Sequence, residues 1–121
     1  MSNDYRTRTQ HYAEKALSKI QAIEKKDFAK EYKSRSDGFP VMVMQAGLAQ
    51  AVGFMLAKGS SSTAYSQYLD DLASVMGEQD GKAFHHIIIH APIADYRQLT
   101  RKTLNAAGWF KLFGQAYLTD K

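Results

Sequence analysis

Cysteine is absent from the 121 residues, which excludes disulfides, thiolate metal ligands and a cysteine nucleophile. The N-terminal stretch MSNDYRTRTQHYAEK is polar and lacks the apolar run of a secretory signal. Segment 39–59 is nearly long enough to span a membrane, but its glutamines and glycines argue against a span. We therefore expect a soluble cytoplasmic protein with no membrane contact.

The sequence also lacks the motifs that mark common active sites. His86 and His90 stand four residues apart, as two zinc ligands on one helix face do, but Ile87 occupies the position where H-E-x-x-H has its general base. A metal hydrolase using these residues and His85 is the weakest interpretation. The favoured one places the histidines at the edge of an isoleucine-rich packing face.

Other polar clusters give no better case for catalysis. Asp70 and Asp71 are adjacent, so on a helix they point to different sides and do not form a carboxylate pair. GEQDGK (77–82) lacks P-loop spacing, and serines 60–62 suit a helix cap. We predict no catalytic residue, no cofactor and no metal site.

What the sequence does contain is helical periodicity in a chain that is 45% hydrophobic and 23% charged. Residues 33–40 (KSRSDGFP) have turn chemistry and are predicted as a loop. The chain is therefore predicted to be all-α, a single-domain bundle of about five to six helices spanning 1–121. The first predicted helix is 4–26, with a short continuation through Phe28 and Tyr32, and the second is 39–59. The third follows GSSST, buries Tyr65, Leu69, Leu72 and Met76, and stops at Gly77. The last two are 81–92 and 96–118, and Asp95 caps the final helix.

The predicted helix 39–59 has an unusual composition. Pro40 can supply its first turn and Gly59 its end, yet two glutamines and two glycines interrupt an apolar segment. Glycine and alanine leave a flat helix surface that another helix can approach closely. This contact lies either within the bundle or between subunits, and the residues assigned to it are Gln45, Gly47, Gln50 and Phe54.

The net charge of +4 lies entirely in the first 36 residues, which hold nine Lys and Arg against five acids. At 100° per residue, one helix would align four of these cations, Arg8, Lys15, Lys19 and Lys26, in a stripe about 27 Å long. The last helix repeats the pattern with Arg97 and Arg101. A solvated helix face and a phosphate-binding track both fit this pattern. The phosphate-binding candidates are Lys15 and Lys19, followed by Arg8, Lys26, Arg97 and Arg101.

Four segments in order resemble the small-subunit family of the type III-B CRISPR effector, the fifth protein of the Cmr RNA-silencing complex. They are RTQHYAEKA (8–16), YKSRSDGFPVMVMQAGLAQAVGFMLAKG (32–59), AYSQYLDDL (64–72) and DYRQLTRKTLNAAGWFKLFGQAYL (95–118). The family pattern has an R-x-Q-x-Y-A helix, a glutamine- and glycine-containing helix after a proline, and a terminal Y-R-x-x-T helix with a tryptophan.

The resemblance implies a non-catalytic all-α protein that takes part in antiviral defence and target RNA silencing. Such subunits stack in a short filament beside the large subunit and the subunits that carry the guide RNA, and their basic face lines the channel for the guide–target duplex. The implied partners are these subunits, further copies of the chain, and guide and target RNA through their phosphates. The alternative is a helical adaptor that binds only proteins.

Overall fold

The computed structural model describes residues 7–118, and these form six α-helices and no strand. The all-α prediction is therefore confirmed over this range, while residues 4–6 of the predicted first helix lie outside it. None of the described helices is long and apolar enough to cross a membrane. The helices are α1 (Arg8–Ile23), α2 (Ala29–Ala46), α3 (Leu48–Gly59), α4 (Thr63–Val75), α5 (Gly81–His90) and α6 (Ile93–Tyr117).

The core is organised around the Tyr68 ring on α4. Tyr32 and Phe39 of α2 and Phe110 of α6 each place a ring centroid 5.6 Å from that of Tyr68, all in edge-to-face orientations. All four side chains are fully buried. Edge-to-face pairs add roughly 0.5–1.5 kcal/mol each beyond the area they bury, so this cluster fixes α2, α4 and α6 against one another.

The predicted loop at 33–40 is wrong, because these residues lie inside α2. The buried residues Tyr32, Ser36, Phe39 and Val43 follow one another at spacings of four, three and four, which is one helix face. The turn-forming residues are accommodated locally: the Ser36 hydroxyl donates to the Lys33 carbonyl at 2.8 Å. Packing of the buried face thus outweighs the local turn preferences.

The predicted helix 39–59 is also wrong in its first half. Pro40 lies inside α2 rather than at a helix start, and the chain turns at Gly47 between α2 and α3. Gly47 has φ of +90°, a conformation that glycine adopts without steric cost. Its N–H still donates to the Val43 carbonyl at 2.8 Å, so the turn leaves that end of α2 hydrogen-bonded.

Helix ends elsewhere are close to prediction but differ in their caps. Gly77 follows α4 with φ of +90°, which confirms it as the stop. The predicted helix over 81–92 is confirmed as α5. Ser62 occupies the N-cap of α4 without a side-chain hydrogen bond, and Pro92, not Asp95, is the N-cap of α6; Asp95 lies in its first turn.

One carboxyl group is buried among the helices. Asp71 accepts a hydrogen bond from the Tyr32 hydroxyl at 2.7 Å and another from the Gln67 amide at 2.9 Å. Burial raises the pKa of Asp71, while the hydrogen bonds from Tyr32 and Gln67 and the charge of Lys19 oppose the rise. Asp70, its neighbour, instead accepts from the Gly81 N–H at 2.8 Å, so the two aspartates do point apart as predicted.

Asp71→Asn is expected to remove one component of the pH dependence of stability. Because the folded-state pKa is raised, folded protein holds this proton more tightly than unfolded protein. The stability that this proton gives the folded state is therefore complete below the ordinary aspartate pKa, and it is lost as pH rises through the raised pKa of Asp71. Urea unfolding over a pH series should show the variant gaining stability relative to the wild-type chain across that window. An unchanged difference in stability between the two chains across the window would contradict the assignment.

Candidate nucleic-acid interface

The packing of α1 on α6 forms a basic groove of about 490 Å³, called here the α1–α6 groove. It brings together Arg8 and Arg101, two predicted phosphate-binding residues that are 93 positions apart in the chain. Among the described residues, no carboxylate lines it. The lining residues are Arg8, Gln98, Arg101, Lys102, Leu104 and Asn105.

The start of α1 is held beside α6 by a hydrogen-bonded triad. The Thr9 hydroxyl donates to the Asn105 side-chain carbonyl at 2.7 Å and accepts from the Trp109 indole N–H at 3.0 Å. Thr7 caps α1 through a reciprocal capping box with Gln10, which fixes where the helix begins. Arg8 lies between these two anchored threonines, so its backbone position at the groove is set by both contacts.

The electrostatic character of the groove is uniformly positive. Arg8 and Arg101 are exposed and Lys102 is half-buried, and no ion pair joins any of the three to an acid within residues 7–118. The Arg8 charge also acts on Tyr12, whose pKa is raised by burial and lowered in part by Arg8. Guanidinium groups bind phosphate oxygens as forked donors, and Gln98 and Asn105 add amide groups. The groove can therefore hold phosphodiester oxygens.

The other predicted cations divide into different environments. Lys15 is exposed about 10 Å along α1 from Arg8, and Arg97 is exposed one turn before Arg101. Lys19 is half-buried, and its charge acts on Asp71. Lys26 lies beyond the end of α1 at Ile23, so the predicted four-residue stripe is wrong in its last member.

Lys102, Gln98 and Asn105 were missed by sequence reasoning. Gln98, Lys102 and Asn105 recur at spacings of four and three on α6, next to Arg101, so the helical pattern did contain their signal. The groove forms only because α1 packs beside this row of α6 residues, and the sequence of α6 alone does not show that α1 lies there.

The four residues assigned to a packing contact do not lie together on one helix face, although the Phe54 ring contacts the Tyr65 ring of α4 within the bundle. Gln45, Gln50 and Phe54 are exposed, with Gln45 on α2 and the other two on α3, and Gly47 is the turn between these helices. Close packing of α3 instead involves Gly53, where an added Cβ would lie 3.3 Å from the His85 Nε2. A role for the exposed residues in a subunit interface stays a prediction.

The histidines lie on and beside the packing face of α5. His85 Nε2 is 3.1 Å from the Ala49 carbonyl of α3, and the exposed His90 places Nδ1 2.8 Å from the carbonyl of His86. Within the described part of the chain, no group of three or more His, Cys, Asp or Glu residues could hold a metal ion.

Helical fold and basic groove together define a small all-α protein suited to an anionic partner. The family model for the CRISPR-associated protein Cmr5 matches residues 8–117, and the chain therefore belongs to the Cmr5 family. The predicted resemblance to the fifth Cmr protein is confirmed.

A curated protein and a solved structure, both from Thermus thermophilus, support this assignment. The chain is 37% identical over 115 residues to the CRISPR system Cmr subunit Cmr5, covering 95% of this chain and 99% of the relative. It is also similar to the X-ray crystal structure of a Cmr5 family protein, with a TM-score of 0.91 at 37% identity, covering 94% of this chain and 99% of that one.

Proposed function

We propose that this chain is a non-catalytic small subunit of a cytoplasmic type III-B Cmr effector and that its α1–α6 groove binds RNA phosphates. Copies stack in a filament beside the large subunit and the guide-RNA-bearing subunits, with the groove facing the guide–target duplex. Family membership supports the complex, and the convergence of Arg8, Arg101 and Lys102 without an opposing carboxylate among the described residues supports the RNA contact. Leu104 is the one apolar residue that lines the groove within residues 7–118, and no aromatic ring of that range lines it. The groove therefore offers bases no stacking platform, and its cations contact mainly phosphates.

The test is RNA binding by the reconstituted complex with the wild-type chain or an Arg8→Glu/Arg101→Glu variant. Each lost phosphate contact on a single strand lowers the slope of log K against log salt by about 0.7. Loss of two contacts should weaken binding about tenfold at about 0.15 M salt and make the slope shallower by about 1.4. Lys25→Glu/Lys30→Glu, which changes the same charge at exposed positions outside the groove, is the matched control.

The adaptor alternative makes the opposite prediction. If affinity and salt slope match those of the control variant, the groove does not contact RNA and the adaptor function is favoured. Lys15→Glu/Lys19→Glu is a second comparison. Because Lys19 is half-buried and its charge acts on Asp71, this variant should lose less RNA affinity and more stability than the groove variant.

A further inference from the structure

A pair of aromatic rings flanked by two cations lies across α2, α3 and α4, and none of the four residues lines the α1–α6 groove. The Arg35 guanidinium carbon lies 4.5 Å from the Tyr65 ring centroid, and the Lys58 ammonium lies 5.7 Å from that of Phe54. The two rings meet edge to face with centroids 6.0 Å apart. These four residues are called here the cation–aromatic surface.

Arg35 has unused hydrogen-bonding capacity on this surface. Its Nη1 donates to the Tyr65 hydroxyl, whereas Nε is buried and has no hydrogen-bond partner among the described residues. No acid in residues 7–118 forms an ion pair with Arg35 or Lys58. Guanidinium groups bind carboxylates and phosphates as forked donors, so an anion is the kind of partner that fits Arg35.

An apolar hollow of about 90 Å³ adjoins Arg35, lined by Ser34, Arg35, Gly38, Phe39, Met42, Met55 and Tyr65. Gly38 lies inside α2, where glycine costs roughly 1 kcal/mol relative to alanine, yet no described atom lies within 4 Å of its Cβ position. The α2 surface is therefore flat there. Val41, one turn further on, is 49% exposed. Another chain can approach this part of α2 closely.

We propose that the cation–aromatic surface and its hollow bind an acidic polypeptide segment of another Cmr subunit. A carboxylate of that segment pairs with Arg35, and a neighbouring apolar side chain enters the hollow. The inference rests on the proposed function, since it takes the chain to act within a multisubunit complex.

The composition of the surface favours protein over RNA. Aromatic residues, methionine and arginine are the types enriched at the centre of protein–protein interfaces, and all occur here. Arg35 already covers a face of the Tyr65 ring, which removes that face as a base-stacking platform. A second copy of this chain carries a net charge of +4 and fits this pair of cations less well than an acidic partner.

The test measures incorporation into the remaining Cmr subunits, purified without this chain and treated with nuclease. Arg35→Glu should lower affinity for this subcomplex by about tenfold or more, as loss of a central arginine does at interfaces. Gly38→Gln should also weaken it by filling the flat surface, and its thermal unfolding should match or exceed that of the wild-type chain. Lys25→Glu, an equal charge change at an exposed site, should incorporate normally.

Each other outcome overturns the inference. Normal incorporation of both Arg35→Glu and Gly38→Gln would show that no subunit binds there. Normal incorporation with weakened RNA binding by the complex would identify an RNA surface, and loss only of self-association would identify a contact between copies. If the wild-type chain itself did not bind the subcomplex, the proposed function would be wrong. If the variants bound normally, as the wild-type chain does, the proposed function would stand and this surface would not be the contact.

Discussion

Gly81→Ala is expected to lower the free energy of unfolding by about 2 kcal/mol, as overpacking of a tight core typically does. An added Cβ would lie 2.6 Å from Leu69 Cδ2 and 2.8 Å from Leu69 Cγ. Leu69 is buried in the core, so its side chain cannot turn away into solvent. Gly81 also anchors the start of α5, because its N–H donates to the Asp70 carboxylate. Movement of α5 away from Leu69 would lengthen that bond.

Gly108→Ala is the matched control and should have the opposite sign. This glycine lies inside α6 and has no described atom within 4 Å of its Cβ position, so alanine should raise stability by about 0.5–1 kcal/mol. Urea unfolding of both variants measures the difference. Equal stability of the Gly81→Ala and wild-type chains would mean that α5 can shift without cost, and the contact with Leu69 would not limit this position.

Helix type and number could be predicted because apolar periodicity is a local property. The segment 33–40 shows where local chemistry misleads: Ser, Asp, Gly and Pro predict a loop, yet Tyr32, Phe39 and Val43 are held in one helix face by contacts with α4 and α6. The stop at Gly47 has the reverse cause. Its neighbours are good helix formers. The turn follows from the packing of α3 on α4 and α5, and the Tyr96 hydroxyl of α6 accepts a hydrogen bond from the Ala49 N–H.

Individual residues of the candidate site could be predicted from the sequence, but their arrangement in one groove could not. Arg8 and Arg101 were both identified on their own helices, and only the packing of α1 on α6 through Thr9 and Trp109 puts them in one groove. Lys19 shows the limit of a single-helix projection. Its angle places it with the exposed cations, whereas the neighbouring Asp71 of α4 makes its environment that of a partly buried charge.

Tyr32→Phe and Tyr68→Phe should change stability in opposite directions although both remove one hydroxyl from the same aromatic cluster. The Tyr32 hydroxyl donates to the Asp71 carboxylate at 2.7 Å. Its removal leaves a buried carboxylate with the Gln67 amide alone, and loss of a hydrogen bond to a charged group costs about 1.5–3 kcal/mol. The Tyr68 hydroxyl is buried and has no hydrogen-bond partner within residues 7–118, so Tyr68→Phe should raise stability by about 1 kcal/mol.

Urea unfolding at neutral pH measures both changes, and the pH series separates their causes. In Tyr32→Phe the pKa of Asp71 should rise further, because the Tyr32 hydrogen bond lowers it, and the loss of stability should shrink as the carboxylate is protonated at lower pH. Tyr68→Phe touches no carboxylate and should shift stability equally between acid and neutral pH. A loss in Tyr68→Phe as large as that in Tyr32→Phe would mean that the Tyr68 hydroxyl has a partner. A pH-independent loss in Tyr32→Phe would mean that the ring, rather than the bond to Asp71, joins α2 to α4.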